Sequence, residues 1–409
     1  MKRLETTFAG LTLKNPFIVS SSNLTNSAEK NKKWEDAGAS AVVLKSLFEE
    51  EIEAEAAWMQ DGVHTEGQDY LLYYHRAHRL EEYLNLIKET KAQCTIPVIA
   101  SINCYRLTEW TDFAKQIEEA GADALELNIM SICSELDYEY GAYERLHIDI
   151  VKQVKKSVSI PVVVKLGKNL TNPIPLINQL YAHGVAGVVL FNRMVTPDIN
   201  LDKMCYTAGD VFSHPSDLYE SIRWIGLASH RVPKLAYAAS GGVTDAASMV
   251  KAILAGASAV EVCSVLYQKK EKGIQEMLDE LEAWMDNNNY AQISDFKGMM
   301  NAGKAGGGTA FERLDDLGIE HYRICRSSSA LIEKGNDALA NTNHISCHAN
   351  AAFFVRHQRV KQILCELQIF FCCNLRLSCK EYRIVHKFFY HNLSPFKRAL
   401  HFATARSFQ

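Results

Sequence analysis

Short, nearly unbroken runs of Val, Ile, Leu and Ala recur along the first two thirds of the chain. There are eight: "NPFIVSS" from Asn15, "AVVLKS" from Ala41, "IPVIASIN" from Ile96, "ALELNI" from Ala124, "IPVVVKL" from Ile160, "GVVLFN" from Gly187, "KLAYAAS" from Lys234 and "AVEVCS" from Ala259. Runs that do not alternate with charges are how strands covered on both faces read, and such sheets are usually parallel. Between them lie amphipathic stretches such as "LTEWTDFAKQIEEA" from Leu107 and "DAASMVKAILA" from Asp245, long enough for crossover helices.

An internal repeat supports the count. "DAGASAVVLK", "EAGADALELN", "AHGVAGVVLF" and "LAGASAVEVC" share one design: a helix ends at a glycine, turns within two or three residues and enters a strand. These are the even-numbered strands. The odd ones mostly begin behind a proline, where a missing amide donor is tolerated. Eight strands with helical connections predict a (β/α)8 TIM barrel over residues 1–312, with an atypical C-terminal extension over 313–409. An open doubly wound sheet, the other closure of a β-then-α pattern, ordinarily uses fewer strands.

A parallel barrel carries its chemistry at the C-terminal ends of its strands. The polar residues there are Ser20 to Ser22, Lys45, Ser46, Asn103, Asn128, Lys165, Asn192, Ser240 to Gly242, Cys263 and Ser264. Two lysines and three asparagines ending five different strands suit a flat heterocycle rich in carbonyls and ring nitrogens. Ser240-Gly241-Gly242 follows strand seven and Cys263-Ser264 follows strand eight, the two places where barrels commonly hold a phosphate on backbone amides and a short helix.

Composition narrows the partners. The chain has 409 residues, 47% of them hydrophobic, and a formal net charge of −4, which gives no global field for nucleic acid or an anionic membrane. No apolar run approaches the ~18 residues of a spanning helix. Eleven cysteines without a secretory leader read as reduced thiols in a cytoplasmic protein. "HISCH" at His344 has no second ligand pair, so no metal is expected, and "GKAGGGT" at Gly303 lacks the Lys-Ser/Thr of a phosphate loop.

At this point the residues resemble the dihydroorotate dehydrogenases and their flavin-mononucleotide barrel relatives. "SGGVTDAASMVKAILAGASAVEVCS" is similar to that family's Gly-Gly and Gly-Thr phosphate loops, with Cys263-Ser264 in place of Gly-Thr; "NPFIVSSS" is similar to its Asn-Pro-Phe followed by Ala-Ser-Gly, and "LKS" at Leu44 to its Thr-Lys-Ser. The resemblance implies FMN on Ser20, Ser21, Lys45, Ser46, Asn103, Asn128, Lys165, Asn192, Ser240, Gly241, Gly242, Cys263 and Ser264, with Lys165 against the flavin pyrimidine edge. It implies hydride transfer between flavin N5 and a small cyclic amide or similarly activated carbonyl compound, dihydroorotate being the family's own. It also implies a homodimer.

The chain departs from the family pattern in the substrate loops. In "LNIMSICS" Asn128 is kept, Ser131 falls at the position of the catalytic base, and Cys133 replaces an asparagine that binds orotate. An asparagine-serine pair becomes Asn192-Arg193, and "EEEIEAEAAWMQDGVHTEGQDYLLYYH" replaces the Asn-x-Met-Gly-Leu loop. Ser131 and Cys133 are the candidate catalytic residues. Two other classes share the remaining features: a phosphate-binding barrel lyase or isomerase without flavin, and a flavin-binding protein without catalysis. Fumarate, quinone and a partner protein all stand as electron acceptors. Beyond about Arg313 the resemblance fades, and from Ala351 ten basic residues face two acidic ones. That segment reads either as an accessory module or membrane-surface helix, or as sequence not selected to fold.

Overall fold

A computed structural model describes residues 3–48, 65–103, 107–130, 134, 136–194 and 196–304. The expected C-terminal extension and the candidate residues Ser131 and Cys133 lie outside the described residues.

The chain opens with a hairpin, β1 (Thr6–Phe8) and β2 (Leu11–Leu13), paired antiparallel. Its two-residue turn places Ala9 and Gly10 at φ 50° and 83°, the doubly positive geometry that matches the twist of the flanking strands. Then come β3 (Phe17–Val19), α1 (Ala28–Asp36), β4 (Ala41–Val43), the two-residue β5 (Leu47–Phe48), α2 (Thr65–Gln93), β6 (Val98–Asn103), α3 (Leu107–Glu119), β7 (Ala124–Ile129) and α4 (Ala142–Ser157). The second half continues with β8 (Val162–Leu166), α5 (Pro173–Ala182), β9 (Gly187–Leu190), a second hairpin β10 (Pro197–Asn200) and β11 (Cys205–Ala208), α6 (Asp217–Arg231), β12 (Ala236–Ser240), α7 (Ala246–Ala255), β13 (Ala259–Val262), the short α8 (Ser264–Lys269) and α9 (Lys272–Asn287).

All eight expected strands are present and close into a parallel barrel in the order β3, β4, β6, β7, β8, β9, β12, β13 and back to β3. The prolines act as expected. Pro16, Pro97 and Pro161 sit just before their strands and offer their carbonyls to Val260, Val42 and Leu125 of the neighbouring strands, a rung that needs no amide from the proline. The four repeated glycines, Gly38, Gly121, Gly184 and Gly256, have φ between 85° and 128°, which ends each helix and turns the chain into its strand.

Strand parity divides the interior. The lower inward positions, Ile18, Ala41, Val43, Ile99, Ala124, Val163, Val189, Ala238 and Ala259, form one apolar cluster with Phe8 and Leu13 of the opening hairpin, which plugs the N-terminal end of the barrel. Phe8 is fully buried, worth about 1.5–3 kcal/mol by apolar transfer. Gly187 makes room for it: a Cβ there would lie 3.1 Å from the Phe8 ring. Outward positions such as Phe17, Val19, Val98, Leu125, Val164 and Val188 pack under the helices. Two residues further along seven of the eight strands, the inward positions turn polar; on β9, Val189 is followed by the buried Phe191.

Candidate functional site

That upper layer is built by alternation. On β6 the inward series runs Ile99, Ser101, Asn103; on β7, Ala124, Glu126, Asn128; on β8, Val163, Lys165; and on β13, Ala259, Glu261. At its centre is Lys165, buried, whose Nζ lies 2.6 Å from Glu261 Oε2 and 3.6 Å from Glu126 Oε1 and donates to Ser20 Oγ at 3.1 Å. Ser20 Oγ in turn donates to Glu261 Oε2 at 3.1 Å. Burial disfavours the ammonium, but Glu126 and Glu261 together outweigh it and hold Lys165 above the ordinary lysine range. Burial first, then the neighbouring Glu261 charge, pushes the Glu126 carboxyl well above the usual carboxylate range, against the pull of Lys165. Glu126 Oε2 and Glu261 Oε1 are buried without hydrogen-bond partners.

A line of hydroxyls leaves this centre. Ser101 Oγ donates to Glu126 Oε1 at 3.4 Å and lies 2.7 Å from Ser46 Oγ, which lies 3.1 Å from Ser21 Oγ. Tyr83 of α2 fixes the strand behind it, accepting from Ser101 N at 2.7 Å and donating to Ser101 O at 2.9 Å.

A cavity of about 160 Å³ opens above Lys165 and Glu261. Ser20, Ser21, Lys165, Asn192, Ser240, Gly241, Gly242, Cys263 and Ser264 line it together, as do Arg193 and Ser213. Lys45 and Ser46 instead line a separate cavity of about 460 Å³ beside α2, and Ser46 reaches the first group through Ser21. Asn128 joins through Asn192, whose Nδ2 donates to Asn128 Oδ1 at 2.6 Å. Asn103 is buried at the top of β6, where it pairs with Phe48 of β5, and it lines neither cavity.

The two glycine positions have different physical demands. Gly241, at φ 82°, has open space where a Cβ would go, with nothing nearer than 3.9 Å. Gly242, at φ 72°, would place a Cβ 2.5 Å from Leu218 N and 2.7 Å from His214 O, so its missing side chain is required by the N-terminus of α6 packing against it. The Ser264 hydroxyl accepts from Ser213 N at 2.9 Å and from Ser213 Oγ at 3.0 Å, which ties the start of α8 to the segment before α6. Arg193 donates to the carbonyls of Val211 and Asp210 and lies 3.4 Å from Asp217, holding the same segment over the cavity. Burial pushes the Cys263 thiol up, keeping it protonated.

Sequence reading passed over Glu126, Ser101 and Glu261. The signal was available: an ionisable residue in the middle of a strand covered on both faces is costly unless it is paired, and "ALELNI" and "AVEVCS" each carry one.

The family profile described as dihydroorotate dehydrogenase matches residues 3–285. The catalytic subunit of dihydroorotate dehydrogenase B (NAD(+)) from Thermoplasma volcanium is 30% identical over 315 residues, covering 73% of this chain and 99% of that protein. The subunit of the same name from Thermoplasma acidophilum is 26% identical with the same coverage, and dihydroorotate dehydrogenase A (fumarate) from Lactobacillus helveticus is 24% identical over half of this chain and 68% of its own length. A closed eight-stranded parallel barrel with its polar layer at the strand ends, matched by that profile over 3–285, places this chain in the dihydroorotate dehydrogenase family.

Proposed function

We propose that the chain is an FMN-dependent oxidoreductase that removes two hydrogens from adjacent carbons of dihydroorotate, giving orotate in pyrimidine biosynthesis. The observation that carries this reading is the cavity on which Lys165, the Ser240-Gly241-Gly242 loop and the Cys263-Ser264 loop converge, within a chain of this family. FMN supplies a hydride acceptor.

The residues present fit that cofactor. Lys165 and the Asn128–Asn192 pair supply donors for a ring edge rich in carbonyls, and the unpartnered Glu261 Oε1 supplies an acceptor for a ring N–H. At the other end of the cavity, Gly241, Ser213 and Ser264 offer amides and hydroxyls for a phosphate. Lys45, Ser46 and Asn103, away from this cavity, serve the cofactor through Ser21 and the strand ends rather than by lining the same wall.

The proton that leaves with the hydride goes to the segment after β7. Ser131 occupies the family's base position, whereas the thiol of Cys133 has an ordinary pKa near 8.5 and needs less help to accept a proton. Aim outranks intrinsic basicity for a general base, so Ser131 is assigned that role and Cys133 a part in substrate binding.

The purified protein should be yellow and release FMN on denaturation, and anaerobic dihydroorotate should bleach it in a stopped-flow instrument. Ser131→Ala should slow that reduction ~10²-fold or more with FMN retained, and Cys133→Ala should mainly weaken substrate affinity. A colourless protein that takes up no FMN would overturn the reading; rapid reduction in Ser131→Ala with slow reduction in Cys133→Ala would reverse the two roles. Working as a homodimer in the cytoplasm is part of the same proposal. Reoxidation by fumarate, by NAD(+) with a partner subunit, or by a quinone identifies the acceptor.

A further inference from the structure

The Glu126–Lys165–Glu261 centre holds two buried carboxylates and one ammonium. Were both carboxylates ionised, the barrel axis would carry a net negative charge, with Glu126 Oε2 and Glu261 Oε1 as two buried anionic oxygens that have no hydrogen-bond partner in the flavin-free protein. Coulomb's law in a low-dielectric interior makes that arrangement far costlier than at a surface. One added proton removes both faults, turning one orphaned oxygen into a donor. Geometry also says where it rests: Lys165 sits 2.6 Å from Glu261 but 3.6 Å from Glu126, so the closer carboxylate keeps the ion pair and the farther one takes the proton. Among the described residues, the groups facing this centre are Ser20 on β3, Ser101 on β6, Tyr83 of α2 behind Ser101, and the thiol of Cys263 after β13, none of which is a second cation.

We infer that Glu126 carries a proton beside the Lys165–Glu261 ion pair, so that the cavity presents an electrically neutral centre to the flavin ring rather than a bare ammonium. Glu261 and Glu126 are thus positioning residues that set the reduction potential of the bound flavin. An unshielded Lys165 would favour the anionic reduced ring; the neutral centre cancels that field and keeps the flavin a readier donor to its acceptor. The elevated carboxyl of Glu126 agrees with this. The hydroxyls of Ser101, Ser46 and Ser21 connect the pair to the two cavities, giving the proton a route by which the centre equilibrates with solvent.

This arrangement has a sharp signature, because either carboxylate alone can neutralise Lys165. In Glu126→Gln the pair with Glu261 remains; in Glu261→Gln the Glu126 proton leaves through the hydroxyls and Glu126 takes over the ammonium. Only Glu126→Gln/Glu261→Gln together leave the anionic reduced flavin as the sole counter-charge for the Lys165 ammonium.

The inference rests on the flavin reading, and its test has two arms. In the first, the flavin potential is measured against a reference dye: each single variant should change the reduced-to-oxidised ratio at fixed potential by less than about threefold, and the double variant should raise it at least about tenfold, ~30 mV for a two-electron couple. A tenfold rise in Glu126→Gln alone would mean that both carboxylates are ionised, and would overturn the inference. The second arm uses flavin-free protein, where infrared spectra at neutral pH should show one protonated buried carboxyl that disappears in either single variant. Its absence from the wild type, or its survival in Glu261→Gln, would overturn the inference. A protein that never binds FMN defeats the functional reading while leaving this second arm able to decide the inference.

Discussion

At the residue scale, the two adjacent glycines after β12 separate requirements that the sequence shows as one motif. Gly242 is needed because backbone of the α6 N-terminus occupies the space of its Cβ, and Gly241 only because its φ is positive. Gly242→Ala should therefore cost about 3 kcal/mol or more, on the scale of a backbone clash added to αL strain, read as a drop in the urea midpoint. Gly241→Ala should cost about 1 kcal/mol. Equal losses at both positions would mean that the α6 N-terminus simply moves aside. Gly241→Glu becomes the cleaner probe of the phosphate subsite: it should abolish FMN retention in a folded protein, because its carboxylate would stand against the phosphate.

At the element scale, one device is used twice. Glu35 near the end of α1 accepts hydrogen bonds from Thr95 N at 2.9 Å, Ile96 N at 3.2 Å and Thr95 Oγ1 at 2.5 Å, just before Pro97 and β6. Glu118 at the end of α3 accepts from Ser159 N at 3.0 Å, from Ile160 N at 3.2 Å and from the Ser159 hydroxyl, just before Pro161 and β8. Both staple a helix to a Thr/Ser-Ile-Pro-Val strand start two strands along the chain. Burial pushes the Glu35 carboxyl up, but the bonds from Thr95 and Lys32 outweigh it and hold it at about 2, below its unfolded value near 4.3. A depressed carboxyl contributes stability that is complete above the unfolded pKa and is lost as pH falls through the folded one. Thermal midpoints should thus fall between about pH 4 and pH 2, and Glu35→Gln should be less stable at pH 7 and lose less over that window. An identical pH profile in the variant would exclude Glu35 as a source of the acid sensitivity. The β10–β11 hairpin shows a different use of an element: Leu201, Met204 and Tyr206 are all about 80% exposed on it. If the proposed homodimer is built on this hairpin, Met204→Glu with Tyr206→Glu should give a monomer by light scattering; an unchanged mass would move the interface elsewhere.

At the scale of the whole molecule, the barrel is finished by its last described segment rather than by its last strand. Gly298 N, Met300 N and Ala302 N donate to the carbonyls of Ile253, Leu254 and Gly226, which seals α7 and α6 from below. A cut that preserves this segment should be tolerated. Deleting everything after Leu314 should leave flavin content and thermal midpoint nearly unchanged, whereas a cut before Phe296 should give insoluble protein. Loss of soluble, flavin-loaded protein on cutting after Leu314 would show that the residues beyond it pack on the barrel. No helix among the described residues is long and apolar enough to cross a membrane.

What the sequence determined by itself was everything carried by local pattern. Continuous apolar runs located all eight barrel strands and glycines fixed the helix-to-strand turns, while the residues after strands seven and eight stand out in the sequence as candidate phosphate loops and line one cavity in the fold. These features depend on neighbours within a few positions, so they are legible in one dimension. Tertiary structure decided which side chains meet across the barrel. Ser20 and Glu261 are 241 residues apart in the chain yet hydrogen-bonded, and Lys165 meets both Glu126 and Glu261 because inward positions on β7, β8 and β13 reach the same height in the closed sheet. It also moved Lys45 and Ser46 to a second cavity and gave Gly242 to helix packing. The charge of the site is such a property: a lysine read alone is a cation, and only the closure of the barrel brings up the carboxylates that neutralise it.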